Sequence, residues 1–290
     1  MMKTAIIVDS TAYINDELAN HPDVYQVHLT VTFNDGTIAS DSRDQAGQLA
    51  FYKRLVSEKK LPTTSQPNIG EYYNVLDEIV SKGYEVVYCI HLSSGISGAF
   101  QTALMVTQEY QDRLTIFCID SKGASVLMEN LAQQALTLSE THLTPAEIHE
   151  KLLWVVENSR IYLMVEDLNN LVKGGRLNGA AAVVGGLLKI RPILVFDAEG
   201  KITVYEKIRT NKRVYQCWLK LAHQAVADYP DGISISFAHS AAYDEIKTVQ
   251  EVFQKEIPHV DYHISGLGPV VGTHTGVGTK GFCFTPIVKV

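Results

Sequence analysis

The segment HLSSGISGAFQTA, residues 91–103, follows the apolar run VVYCI and sets three serines and two glycines where a helical pattern begins. Two chemistries suit such a turn. A serine can act as a nucleophile if a histidine and an acid reach it. Alternatively, hydroxyls and unpaired backbone N–H groups at a helix start can hold an anionic head group. Three further clusters share this character: Asp9-Ser10-Thr11 after TAIIV, Asp120-Ser121 after FCI, and Thr63-Thr64-Ser65-Gln66 between Pro62 and Pro67. Singly, each reads as helix capping, for which Ser, Thr and Asp are the usual residues. Together, four clusters in one half of the chain favour a site lined by hydroxyls and backbone donors. They contain no Lys or Arg beyond Lys122, so a carboxylate suits them better than a multiply charged phosphate.

The nucleophile reading is weaker. Gly95-Ile96-Ser97-Gly98-Ala99 departs from G-x-S-x-G at its end, where a glycine comes one position early and alanine stands in the place of the last glycine, although His239 or His274 lies downstream as a candidate base. A second motif, GVGTKG at 276–281, matches G-x-G-x-x-G, but only nine residues follow it. Neither the helix nor the acidic residue of a dinucleotide site fits in that length. No G-x-x-x-x-G-K-[ST] is present. His259 and His263 share helical spacing, but HVDYHI reads as strand, so no metal site is expected.

Composition narrows the classes. The chain has 290 residues, 46% of them apolar, enough for a sizeable core. A net charge of −7 argues against nucleic acid as a partner. No apolar run nears the ~20 residues of a membrane span, though transient contact with a membrane surface stays open. MMKTAIIVDS is too short in its apolar part for a signal peptide and reads as a first strand. Cys89, Cys118 and Cys283 lie in strand-like apolar runs and Cys217 adjoins Trp218, which indicates packing, not metal or disulfides. A cytoplasmic globular protein follows.

The elements that position the clusters alternate. Strands are expected at 4–8 and 24–33, the second ending at the turn NDG. A helix at 41–60 should place Leu49, Tyr52, Leu55 and Val56 on one face. LPTTSQPN is a loop, and Asn68 with Glu71 reads as a capping box for a helix to about Ser81. Strand 85–90, helix 97–109, strand 114–119 and helices 123–140 and 145–158 follow. Beyond 159, IYLMV is strand and LNNLVKGGRLNGAAAVVGGLLKI is expected to contain a tightly packed helix. PILVFD and KITVYEKI flank AEG as a hairpin. Helix 211–228, strand 233–238, helix 243–256 and strands 260–264 and 281–289 complete the pattern. The fold class is α/β: two packed α/β domains, 1–158 with a mainly parallel sheet and 159–290 with a mixed one. In such sheets ligands bind beyond the carboxyl ends of the strands, where three of the clusters fall.

Taken in order, IVDSTAYI, LPTTSQPNIGEY, HLSSGISGAFQTA, LVKGGRLNGAAAVVGGLLKIRPIL, EKIRTNKR and GTHTGVGTKGF resemble the DegV family of bacterial fatty-acid-binding proteins, over nearly the whole chain. The resemblance implies a long-chain fatty acid with its tail inside the first domain and its carboxyl near the domain interface, closed over by the second. It places the head-group hydroxyls on Thr64 and Ser94, with His274 close to the carboxyl and Ser65, Ser93, Gly95 and Thr275 supporting. Ser97 then reads as structural. Arg176 and Arg209 match positions presented to a partner, a fatty acid kinase, and Lys173, Lys189 and Arg191 add positive charge nearby. H-T-G-V-G here replaces H-x-G-P-G, and Ala99 stands where threonine is frequent. The implied function is a lipid-carrying subunit, not itself an enzyme and without a cofactor. It presents the acid for acyl phosphate formation in phospholipid synthesis. The alternative is a serine esterase or acyl transferase using Ser94 or Ser97 with His274.

Overall fold

A computed structural model describes residues 2–179 and 191–289, with Arg191 described as backbone only. The helix expected in the glycine- and alanine-rich stretch falls largely outside these residues, as does Lys189.

The first half runs β1 (Thr4–Asp9), α1 (Asp16–Ala19), β2 (Val24–Val27), β3 (Thr30–Thr32), β4 (Ile38–Ser40), α2 (Gln45–Ser57), β5 (Thr63–Ser65), α3 (Ile69–Ser81), β6 (Val86–His91), α4 (Ala99–Thr107), β7 (Thr115–Asp120), α5 (Val126–Ser139) and α6 (Pro145–Asn158). Strands β2-β1-β6-β7 form a wholly parallel sheet. Its central strands are buried on both faces, which is why they read as unbroken apolar runs. Strands β4-β3-β5 form a small antiparallel sheet beside it.

The second half runs β8 (Arg160–Met164), α7 (Asn169–Lys173), β9 (Arg191–Phe196), β10 (Ile202–Ile208), α8 (Asn211–Asp228), β11 (Ile233–His239), α9 (Tyr243–Glu256), β12 (Asp261–Gly266), α10 (Pro269–Thr275) and β13 (Lys280–Pro286). Its sheet, β10-β9-β8-β13-β11-β12, is mixed: β11 and β12 are parallel and the other pairs antiparallel. AEG makes the expected hairpin, with Gly200 at φ 72°. Aromatic rings of Trp218, Phe237, Phe253 and Phe282 fill the core between this sheet and α8 and α9. A larger cluster joins Ile6, Val8 and Tyr88 to Leu267, Val270 and Cys283, so the halves share buried apolar contacts. All four cysteines are free, with Cys89 and Cys283 buried.

Four local expectations need correction. The strand expected at 24–33 is two strands in two sheets. The His28 backbone N–H donates to Glu71 and its Nδ1 lies 2.7 Å from the same carboxylate, while Leu29 N donates to Ser10 Oγ. These side chains pull the chain out of the parallel ladder. Glu71 is thereby spent on His28 and closes no capping box; Asn68 alone caps α3, accepting from Gly70 N at 2.8 Å. On α2 the buried face is Gln48, Phe51, Tyr52 and Leu55, whereas Leu49 and Val56 are 46% and 73% exposed. Thr63–Ser65, read as loop, forms β5, and α10 was not anticipated.

Candidate functional site

The ends of β1 and β6 are tied together by buried side-chain bonds. Asp9 accepts from Thr11 N, Thr11 Oγ1 and Leu92 N, which joins the ends of β1 and β6. Burial pushes its carboxyl up to about 6, although these three donors pull it back. Asp41 accepts from Ser10 Oγ at 3.1 Å, Tyr13 OH at 3.3 Å and Val270 N at 2.9 Å. Burial pushes it up to about 7. Since Val270 lies in the first turn of α10, and Tyr52 OH donates to Leu267 O at 2.8 Å, the first half sets where α10 sits.

Beneath α10 lies a cavity of about 210 Å³. Leu29, Leu92, Leu163, Leu171, Val270 and Val271 contribute much of its apolar wall. Polar groups enter from six places: Thr64, Ser65 and Gln66 on and after β5, Ser97 before α4, Ser125 before α5, Arg176 after α7, His274 and Thr275 on α10, and Thr279 before β13. His274 Nε2 is 2.8 Å from Thr64 Oγ1. Its Nδ1 is buried with no partner among the described residues, packed on Gly174, where a Cβ would come within 2.4 Å. Burial first, and then the Arg176 charge, push the imidazole down to about 4, so it is neutral at ordinary pH. The tautomer with hydrogen on Nε2 leaves the Thr64 hydroxyl free to donate into the cavity.

Arg176 is half-buried and donates from Nε to Ile96 O at 3.1 Å and from Nη1 to Gly174 O, bridging the two halves. Ser97 Oγ accepts from Ala99 N at 3.2 Å, which leaves its proton for the cavity it lines. Ser94 does not line this cavity. Ile96 N and Ser97 N both donate to Ser93 O, and this tight turn swings Ser94 outward. Its Oγ and N–H donate to Asp120 at the end of β7, and it borders a shallow outer depression with Gln101 and Met105. Thus the structure places Ser97, not Ser94, with Thr64 and His274. Ser93 is buried and donates to Gly200 O at 2.7 Å, docking the AEG hairpin; Gly95 is needed for the same close approach, since a Cβ there would lie 2.6 Å from Gly200 O. Thr275 lines the cavity while donating to Val271 O. Arg209 is exposed after the end of β10 and Lys173 is exposed on α7; neither lines the cavity.

Ser125, also in the lining, was missed by sequence reasoning. Its signal was its place as the small hydroxyl residue before the helical run VLMENLAQQALTLS. The GVGTKG motif turns at Gly276 and Gly278, both at positive φ, and leads into β13. Among the described residues no group of His, Cys, Asp and Glu is arranged to hold a metal, and no helix is long and apolar enough to cross a membrane.

Residues 3–286 match the model of a protein family described as "Uncharacterised protein, DegV family". The chain belongs to the DegV family. A DegV domain-containing protein of Streptococcus pyogenes is 35% identical to it over 98% of this chain and 99% of that one. Among solved structures, a fatty acid binding DegV family protein from Streptococcus agalactiae superposes with a TM-score of 0.89 at 34% identity, covering 99% of both chains. DegV from Bacillus subtilis, described as a fatty acid binding protein, gives a TM-score of 0.88 at 33% identity over 98% of this chain and 99% of that one. These DegV neighbours share the fold over essentially the whole chain.

Proposed function

We propose that this DegV family chain binds one long-chain fatty acid and presents its carboxyl group to a separate fatty acid kinase for acyl phosphate formation. The observation that carries this reading is an aliphatic cavity into which Thr64, Ser97, His274 and Arg176 converge. Apolar walls draw in the acyl tail, at about 0.8 kcal/mol per buried methylene. Hydroxyl donors then orient the carboxyl, and one guanidinium keeps its charge from being buried unpaired. The fatty acid binding described for the S. agalactiae and B. subtilis proteins supports the same ligand class. We assign the tail to the lobe ending near residue 158 and the closure over the head group to residues 159–290, through His274. Arg176, with the exposed Arg209 and Lys173, offers the anionic kinase or its phosphate a positive surface. Nucleotide and magnesium belong to that partner, in a bacterial cytoplasm feeding phospholipid synthesis.

Native mass spectrometry of the purified protein tests the first step: one fatty acid per chain is expected. Repeated recovery of empty protein that palmitate and oleate fail to stabilise would sink it. Addition of a fatty acid kinase with ATP and magnesium tests the second, with acyl phosphate as the readout. The esterase alternative finds no serine paired with His274, whose Nε2 is taken by Thr64. Turnover of a chromogenic acyl ester, abolished by Ser97→Ala, would reinstate it.

A further inference from the structure

Ser125 is only 5% exposed and lines the cavity, yet its Oγ has no hydrogen-bond partner among the described residues. It precedes the 14-residue helix α5 without capping it. Its backbone, at φ 58° and ψ −129°, is a conformation that favours glycine. Ser125 N donates to Thr11 O, and its own carbonyl accepts from Met128 N and Glu129 N. That leaves the N–H groups of Val126 and Leu127 with no carbonyl to reach inside the helix. Ala124 and Val126 line the cavity on either side of Ser125. The Ser125 hydroxyl and the first residue of α5, Val126, therefore meet the cavity wall at the positive end of a helix.

We infer that Ser125 and the first turn of α5 form a second polar position in the cavity, which takes the hydroxyl oxygen of a monohydroxylated fatty acid. This rests on the fatty acid reading above. The carboxyl is already met by Thr64, Ser97, His274 and Arg176, so an unsubstituted acid brings only methylenes to Ser125 and leaves its hydroxyl unmatched. Among the described residues Arg176 is the cation of this lining, and the first carboxylate already takes it as counter-ion. A second carboxylate on the chain would thus be buried without a counter-ion, whereas a neutral hydroxyl both donates and accepts at no such cost.

The test is calorimetric binding of palmitate and of a positional series of monohydroxylated palmitates to the full chain. At least one hydroxylated isomer should bind roughly five- to tenfold more tightly than palmitate, the worth of a satisfied buried hydrogen bond. Ser125→Gly, which suits the positive φ, should erase that preference. Ser125→Ala should erase it too, and melting curves confirm that both variants fold. If no isomer outbinds palmitate, or if the preference survives both substitutions, the inference is overturned. Palmitate itself failing to bind would instead overturn the fatty acid reading, and this inference with it.

Discussion

His274 Nε2 lies 2.8 Å from Thr64 Oγ1, joining α10 to β5 across 210 residues of sequence. Both groups face the cavity, so the bond sets the direction of the Thr64 hydroxyl as well as the position of the ring. Thr64→Val and His274→Gln should each weaken fatty acid binding by about 0.5–1.5 kcal/mol. Because the two act as a unit, the double variant should lose less than the sum. Calorimetry on the four proteins checks this, and strict additivity would show that the pair does not work together.

Gly174 makes room for the His274 ring, and its own backbone, at φ −73°, would accept any residue. Gly174→Ala should therefore act by contact alone, displacing His274 and reducing fatty acid affinity more than melting temperature. An unchanged affinity would mean that the ring has slack in its seat.

The serine loop gives a ranking. Ser97→Ala should reduce binding by about 0.5–1.5 kcal/mol with little effect on folding. Ser94→Ala should do the reverse, since it removes a donor to Asp120 outside the cavity. Paired melting and binding measurements separate the two, and the opposite order would return the head group to Ser94.

Arg176 and Arg209 should part company. Arg176→Ala removes charged donors to Ile96 O and Gly174 O and should cost on the order of 1–3 kcal/mol in stability. It should also let the His274 pKa rise, since the neighbouring positive charge is gone, and NMR titration of the ring reads that directly. Arg209→Ala, an exposed change, should stay within about 0.5 kcal/mol in stability. If acyl phosphate formation nevertheless falls in Arg209→Ala, its role lies at the kinase.

Asp41 predicts a pH signature. Its carboxyl rises from 3.8 to about 7 in the folded chain, so the folded state holds a proton that the unfolded chain releases. The stability from that proton is complete below 3.8 and is lost as pH rises through about 7. Asp41→Asn cannot titrate, so its melting temperature relative to the parent should climb across that window. His91 and His274, both pushed down to about 4, carry the opposite sign, costing stability as pH falls below 6.5. They are present in both proteins and cancel in the difference. A difference that stays flat with pH would show that Asp41 remains ionised when buried.

What the sequence determines here is mostly local. Helices at 211–228 and 243–256 and the parallel strands are legible because apolar period and capping chemistry act within a few residues, as at Thr210 before α8. The hydroxyl clusters stand out for the same reason, since residue type is visible without a fold. Which hydroxyl meets the cavity is decided elsewhere. Ser93, Ser94 and Ser97 look alike in sequence, but Gly200, 107 residues away, takes the first and Asp120, 26 residues away, takes the second. Glu71 splits the strand at His28 from 43 residues off. Partners at such separations come together only when the core has packed, and a hydrogen bond to them then overrides the local preference.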